Sequence, residues 1–251
     1  MSGYFKHTDI IIVTFNNIGF LTKCLRSIDT CHLGIPYTIH IVNNGVLGSL
    51  DSFKDKNTRV YDTGSNLGWI GGINFMQGKV LGPYILFLND DTQFIHFDKQ
   101  WLKRLIIPFI KYDNIGATGP VSNNVSGYQQ INSVNPVPKM NVSPLLIGFC
   151  LLSTKENLDK IGWLDGSLRG GDDLDLSIKL QDIGKSLVTC RNVTVLHHYA
   201  ATGKRVHGQY WDSVDHGEHI EIDLIKKHGL KRFLKFQSGE SMVHANIRNN
   251  S

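Results

Sequence analysis

The sequence predicts an α/β domain built on a mostly parallel sheet with helices on its faces. Three observations carry that expectation. Short apolar runs (DIIIVT from Asp9, YTIHIV from Tyr37, YILFL from Tyr84) recur along the first half of the chain and read as strands, the unbroken run of the last marking one buried on both faces. Segments with helical spacing of apolar residues separate them, which is the pattern of βαβ units with right-handed crossovers. With 251 residues, 41% of them hydrophobic, the chain is long enough for one large core.

Taken in order, residues 9–14 form the first strand, and Asn16 or Asn17 caps a helix carrying Phe20, Leu21, Leu25 and Ile28 inward. Residues 37–42 form the second strand, ending at Asn43-Asn44-Gly45. A weak helical pattern over residues 49–56 leads to a third strand around residues 59–61. The glycine-rich run NLGWIGGIN from Asn66 opens a helix reaching about Leu81. The strand in PYILFLNDDT follows, then a helix from Asp98 to Tyr112 and a strand over residues 115–119. Residues 120–143, rich in Asn, Ser, Pro and Gly, read as a long loop over one edge of the sheet, and loops of that length usually carry function. Beyond it come a strand within residues 145–153, a helix capped by Thr154 and closed at Gly162, and a helix from Asp172 to Asp182. Two short strands (residues 187–190 and 193–197), a helix over residues 211–228 and a polar tail complete the chain.

Composition narrows the function. A net charge of +4 suits a polyanionic ligand such as a nucleoside diphosphate and is too small to argue for nucleic acid. No window approaches the roughly 18 apolar residues of a membrane span. Met1 to Thr8 lacks the apolar core of a signal peptide. Cys24, Cys31, Cys150 and Cys190 are scattered without metal spacing and read as reduced thiols of a cytoplasmic protein.

Asn89-Asp90-Asp91 closes the most apolar strand, where ligands bind in open α/β sheets. Adjacent carboxylates repel, so a hard divalent ion completed by water and phosphate oxygens is one reading; an Asn-Asp-Asp cap of the next element is the other. Neither a dinucleotide GxGxxG nor a Walker loop follows the first strand. Gly68, Gly71 and Gly72 instead follow the third strand, flanked by Asn66 and Asn74, where close approach to a ligand and tight packing on the sheet are both open.

Together these motifs resemble the family 2 glycosyltransferases with the GT-A fold, in particular the rhamnosyltransferase-like members. The resemblance runs over about residues 9–205 through IIIVTFNN, IVNNG, NLGWIGGIN, YILFLNDDT, IGATGP, the stretch GFCLLSTKENLDKIGWLDGSLRGGDDLDLSIKLQDIG and VLHH. It implies a domain over residues 1–205, with a nucleotide-sugar half (about 9–119) and an acceptor half (about 120–205), and a helical extension over 206–251. It implies that Thr14, Phe15, Asn17, Asn43, Asn66, Gly71, Gly72, Asn74, Asn89 and Asp90 bind the nucleotide sugar. Asn43 stands where the family has an aspartate, and Asn89 replaces the first aspartate of its DxD element. Asp91 and His197 would hold Mn²⁺ or Mg²⁺, His198 being the adjacent alternative, and Lys204 and Arg205 could add cationic contacts. Asp173, with Asp172 in reserve, would be the base of an inverting transfer, and Trp163 would border the acceptor. Asp175, two positions on, is expected to point away and to tolerate change.

The implied reaction moves a sugar from a UDP-, dTDP- or GDP-sugar, dTDP-rhamnose among them, to a hydroxyl of a glycan or similar acceptor in polysaccharide biosynthesis. Peripheral membrane contact stays open. A sugar-nucleotide-binding module without turnover and a nucleotidyltransferase are the alternatives, the latter disfavoured because Phe15-Asn16-Asn17 supplies neither charge nor glycine.

Overall fold

The computed structural model describes residues 5–29, 34–95, 99–125, 127–131, 139–198, 214–240 and 242–246, with the main chain alone for 214–216. Among these, nine strands form one sheet in the order β3-β2-β1-β4-β8-β6-β9-β5, and β7 pairs with β9 off that path. The strands are β1 (Thr8–Thr14), β2 (Tyr37–Asn43), β3 (Thr58–Asp62), β4 (Tyr84–Asn89), β5 (Thr92–Phe94), β6 (Ile115–Ser122), β7 (Met140–Ser143), β8 (Cys150–Thr154) and β9 (Ser186–His197). The helices are α1 (Ile18–Asp29), α2 (Gly68–Phe75), α3 (Trp101–Lys111), α4 (Lys155–Ile161), α5 (Asp172–Asp182), α6 (Val214–His228) and α7 (Leu230–Gln237).

Strands β3, β2, β1 and β4 are parallel neighbours, as alternation of strand and helix requires. Every residue of β1 is buried, because a strand with helices on both faces has no solvent side. Ile10 and Ile12 join the core on the side of α1 and α3, whereas Ile11 and Val13 join the one on the side of α2, α4 and α5. The second half of the sheet departs from the parallel expectation. β8 runs antiparallel to both β4 and β6, and β5 and β7 run antiparallel to β9. Of these neighbours only β6 and β9 run parallel, and an apolar strand buried on both faces is compatible with either direction because its side chains alternate in the same way.

The two short strands expected over residues 187–197 are one strand. β9 continues through a register shift in which Pro120 faces Cys190 and Val121 already faces Thr194, so the polar Arg191-Asn192 break is a bulge. The stretch read as a loop from residue 120 contains the end of β6 and, later, β7. Residues 49–56 hold only a single 3-10 turn at Asp51–Phe53. The tail is more ordered than its polarity indicated: Phe233 and Phe236 of α7 are buried. Thr154 caps α4 as expected, its hydroxyl accepting from the Asn157 amide, and Gly162 ends that helix in the left-handed conformation at φ 74°. Cys24, Cys150 and Cys190 are free, buried thiols, and burial pushes Cys24 and Cys190 up to about 12. Cys31 and the Lys204-Arg205 pair lie outside the described residues.

Candidate active site

The register of the parallel strands brings Thr14, Asn43 and Asn89 to one edge: Thr14 faces Asn43, and Val13 faces Asn89. Beyond β4 the chain turns sharply, and the two carboxylates diverge. Asp90 points back to β1, where its Oδ2 accepts from Thr14 Oγ1 at 2.6 Å and its Oδ1 from Asn17 Nδ2 at 3.4 Å. Asp91 turns toward β9. The antiparallel pairing of β5 with β9 sets Thr92 opposite His197, so the residue before Thr92 meets that histidine. The Asp91 Oδ1 to His197 Nε2 distance is 3.3 Å, and the His198 amide donates to the Asp91 carbonyl at 3.0 Å.

The His197 ring is held on three sides. It stacks on Phe149 with centroids 5.0 Å apart and planes 17° apart. Its Nδ1 lies 3.2 Å from the Asn124 carbonyl oxygen, an acceptor only, so Nδ1 carries the proton. Nε2 then faces Asp91, and Asn89 Nδ2 lies 3.4 Å from it. A carbonyl behind the distal ring nitrogen is the usual way a ligating imidazole is oriented. An octahedral Mg²⁺ keeps its donors about 2.1 Å away, hence neighbouring donors about 3 Å apart, and the Asp91–His197 separation fits that spacing. No cluster of three or more His, Cys, Asp or Glu side chains stands among the described residues. The donor set therefore suits a hard divalent ion that takes its remaining oxygens from phosphate and water. His198 is turned away, its ring 5.0 Å from that of Phe20.

The opposite wall is the start of α5. Gly171 precedes it in the left-handed conformation, φ 68°. Asp173 accepts from the Gly148 amide through Oδ2 (3.2 Å) and from the Leu174 amide through Oδ1 (2.9 Å). Asp172 accepts from Trp69 Nε1 at 3.0 Å. Burial, and then the Asp173 charge beside it, push Asp172 up from its ordinary 3.8 to about 7. Burial also raises Asp173, against the pull of its backbone donors. The two amides favour charge on Asp173, and the Asp173 charge favours a retained proton on Asp172.

Between the two walls lies a cavity of about 570 Å³, within the roughly 300–1,000 Å³ common for small-molecule sites. Thr14, Phe15, Asn66, Gly71, Asn89, Asp90, Asp91, Asp172, Asp173 and His197 all line it. Five expected residues do other work. Asn17 stands behind Asp90. The Asn43 amide is spent on its own turn, donating to Val46 O (2.8 Å) and Asp62 Oδ1 (2.6 Å) and accepting from Gly45 N (3.0 Å). Gly72 lets α2 lie on β1, since a Cβ there would meet Val13 Cγ1 at 2.6 Å. Asn74 clasps residue 164 through both ends of its amide. Trp163 is fully buried, packed on Phe87 and donating to Asp159 Oδ1; its ring belongs to the core and cannot stack on a sugar. Asp175 does point away from the cavity, but it is buried against His228 and Lys227 at 2.7 Å each and is not a tolerant position.

Four contributors escaped the sequence reading. Asn44 lines the cavity while donating to Gly68 O at 2.9 Å, and its neighbour Asn43 drew attention instead. Trp69 was in plain view inside the glycine run, but only the fold shows it reaching Asp172, 103 positions away. Arg169 lines the cavity on the α5 side and pairs with Asp223 of α6. Asn124 orients His197, and no pattern in a Ser-Asn-rich stretch announces that.

Comparison with known families matches residues 9–152 to "Glycosyl transferase family 2". A search of curated proteins returned no match. Among solved structures, the chain is similar to mannosyltransferase PcManGT from Pyrobaculum calidifontis, in complex with GDP-Man and Mn²⁺ (TM-score 0.68, 14% identity, 95% of this chain and 70% of that one). It is similar also to GalNAc-T7 with UDP, GalNAc and Mn²⁺ (TM-score 0.62, 16% identity, 77% and 43%) and to residues 1–349 of S. aureus TarS (TM-score 0.60, 14% identity, 92% and 71%). The chain thus spans less than half of the GalNAc-T7 chain, and identities this low speak for a shared fold alone.

Proposed function

Since the chain belongs to glycosyl transferase family 2, we propose that it moves a sugar from a nucleoside-diphosphate donor to a hydroxyl group with inversion at the anomeric carbon. The observation that carries this reading is the opposition, across one cavity, of the Asp91–His197 pair and the Asp172–Asp173 pair. The donor diphosphate occupies the side at Asp91 and His197, with Thr14 and Asn17 holding Asp90 in place beneath it. A bound Mn²⁺ or Mg²⁺ would act there as a Lewis acid for the charge that develops on the leaving diphosphate. The acceptor enters on the α5 side. As its oxygen bonds to the anomeric carbon, the hydroxyl proton passes to the Asp173 carboxylate and the bond to the diphosphate breaks. The Gly148 and Leu174 amides keep Asp173 oriented and ionised, and Trp69 fixes Asp172 beside it.

PcManGT and GalNAc-T7 carry GDP- and UDP-type ligands with Mn²⁺, which supports a nucleotide donor here. With Asn43 spent on its own turn, the base is read by other groups, and dTDP-rhamnose stands beside UDP- and GDP-sugars as a donor to test. The experiment is a panel of nucleotide sugars scored by thermal shift and by donor consumption, for the parent and Asp173→Asn. Turnover by the variant should fall roughly 10²–10⁴-fold, the usual worth of general-base assistance, with donor affinity retained. Binding without turnover by the parent would make the chain a sugar-nucleotide-binding module. Near-normal turnover by Asp173→Asn together with a dead Asp172→Asn would exchange the two roles.

A further inference from the structure

We propose that α7, with the end of α6, forms a docking face for an anionic lipid surface. Residues 226–237 (KKHGLKRFLKFQ) hold five Lys and Arg residues and no acid, more positive charge than the net +4 of the whole chain. Two of the five are spent internally: Lys227 on Asp165 and Asp175, and Arg232 on Asp182. Lys226, Lys231 and Lys235 are exposed.

The apolar residues of α7 divide into two faces. Phe233 and Phe236 are buried against the body, 4% and 1% exposed, whereas Leu230 and Leu234 stand 55% and 53% exposed. Positions four apart lie one above the other on a helix, so Leu230 and Leu234 form one ridge, and Lys231 and Lys235 form a second directly beside it. Apolar side chains flanked by lysines suit the boundary between headgroups and acyl chains, with the leucines entering and the ammonium groups at the phosphates. A protein groove would leave three lysines to be matched by acids, and a soluble polyanion would have no use for the leucines. α6 also carries the ties to the acceptor-side wall: Asp223 holds Arg169 and His228 holds Asp175. The docking face and that wall are therefore joined through one helix.

The test is flotation of the full chain with vesicles of phosphatidylcholine alone and of phosphatidylcholine mixed with phosphatidylglycerol. The parent should float with the anionic vesicles and be released by salt. A surface lysine contributes about fivefold in affinity to an anionic surface, so Lys231→Glu with Lys235→Glu should weaken binding at least roughly twenty-five-fold. Leu230→Ser with Leu234→Ser should weaken it on the same vesicles while keeping the parent's thermal midpoint, because these side chains are already exposed. Three results would overturn the proposal: no flotation of the parent, serine variants that bind as the parent does, or a dimer of the parent that the serine variants abolish, which would assign the face to a second copy of this chain.

Discussion

Replacing Asp175 by alanine should destabilise the protein more than any change at the two carboxylates before it. Asp175 is 1% exposed. Its Oδ1 lies 2.7 Å from both His228 Nε2 and Lys227 Nζ, and its Oδ2 lies 3.7 Å from Lys179 Nζ. The alanine variant leaves His228 Nε2 facing an apolar methyl group and Lys179 with the Trp163 carbonyl, 2.7 Å away, but no acid from α5. Lys227 keeps Asp165, at 2.5 Å, so the loss is that of one buried acid from its ion pair with Lys179 and its hydrogen bond with His228. Breaking such a pair by removing one partner costs about 3–5 kcal/mol. For a chain of this size each kcal/mol is worth roughly 2–4 °C, so Tm should fall by about 6–20 °C. Asp175→Asn keeps an acceptor and should fall in between. Calorimetric or circular-dichroism melting reads this directly, and a cycle with His228→Ala should show the double variant losing less than the sum of the singles. A Tm for Asp175→Ala within about 2 °C of the parent, under 1 kcal/mol, would refute the network.

Other perturbations follow from the same geometry. The raised pKa of Asp172 means that the folded state resists its ionisation, so the parent loses stability as pH climbs from the ordinary 3.8 through about 7. Asp172→Asn should therefore melt above the parent at pH 8, by up to about 4 kcal/mol, with the advantage vanishing near pH 4; a constant offset across that range would contradict a proton retained on Asp172. Gly72→Ala drives a methyl group to 2.6 Å from Val13 Cγ1, and such overpacking costs about 1–3 kcal/mol, visible as an earlier urea midpoint. A midpoint equal to the parent's would show that α2 yields freely.

Much of this was legible because its signals are local. Unbroken apolar runs mark β1, β2 and β4, and a Thr154 cap with a closing Gly162 marks α4. Asn89-Asp90-Asp91 closes a strand, where ligands bind in open α/β sheets, whereas His197 and the Asp172-Asp173 pair are singled out through the resemblance to family 2 glycosyltransferases; all of them line one cavity. The misses come from partners distant in sequence, from hydrogen bonds inside tight turns, and from strand direction. Whether Trp163 faces a cavity or the core depends on Phe87 and Asp159, and Asp175 looks like any acid in a first helical turn until α6 covers it. Asn43 is polar at a strand end, yet its amide is consumed by Val46, Gly45 and Asp62. The antiparallel β8 was equally hidden, because an apolar strand reads the same in either direction.

The central claim, that the Asp91–His197 edge of the cavity holds a nucleoside diphosphate with a divalent ion, is tested most directly by calorimetric titration. UDP, GDP and dTDP would be titrated into the parent and into Asp91→Ala, each with Mn²⁺ and again with EDTA. At least one of the three should bind the parent in Mn²⁺, lose affinity in EDTA, and bind Asp91→Ala equally weakly in both conditions while that variant melts as the parent does. Binding by the parent that is indifferent to EDTA, or by Asp91→Ala at full strength, would contradict the account.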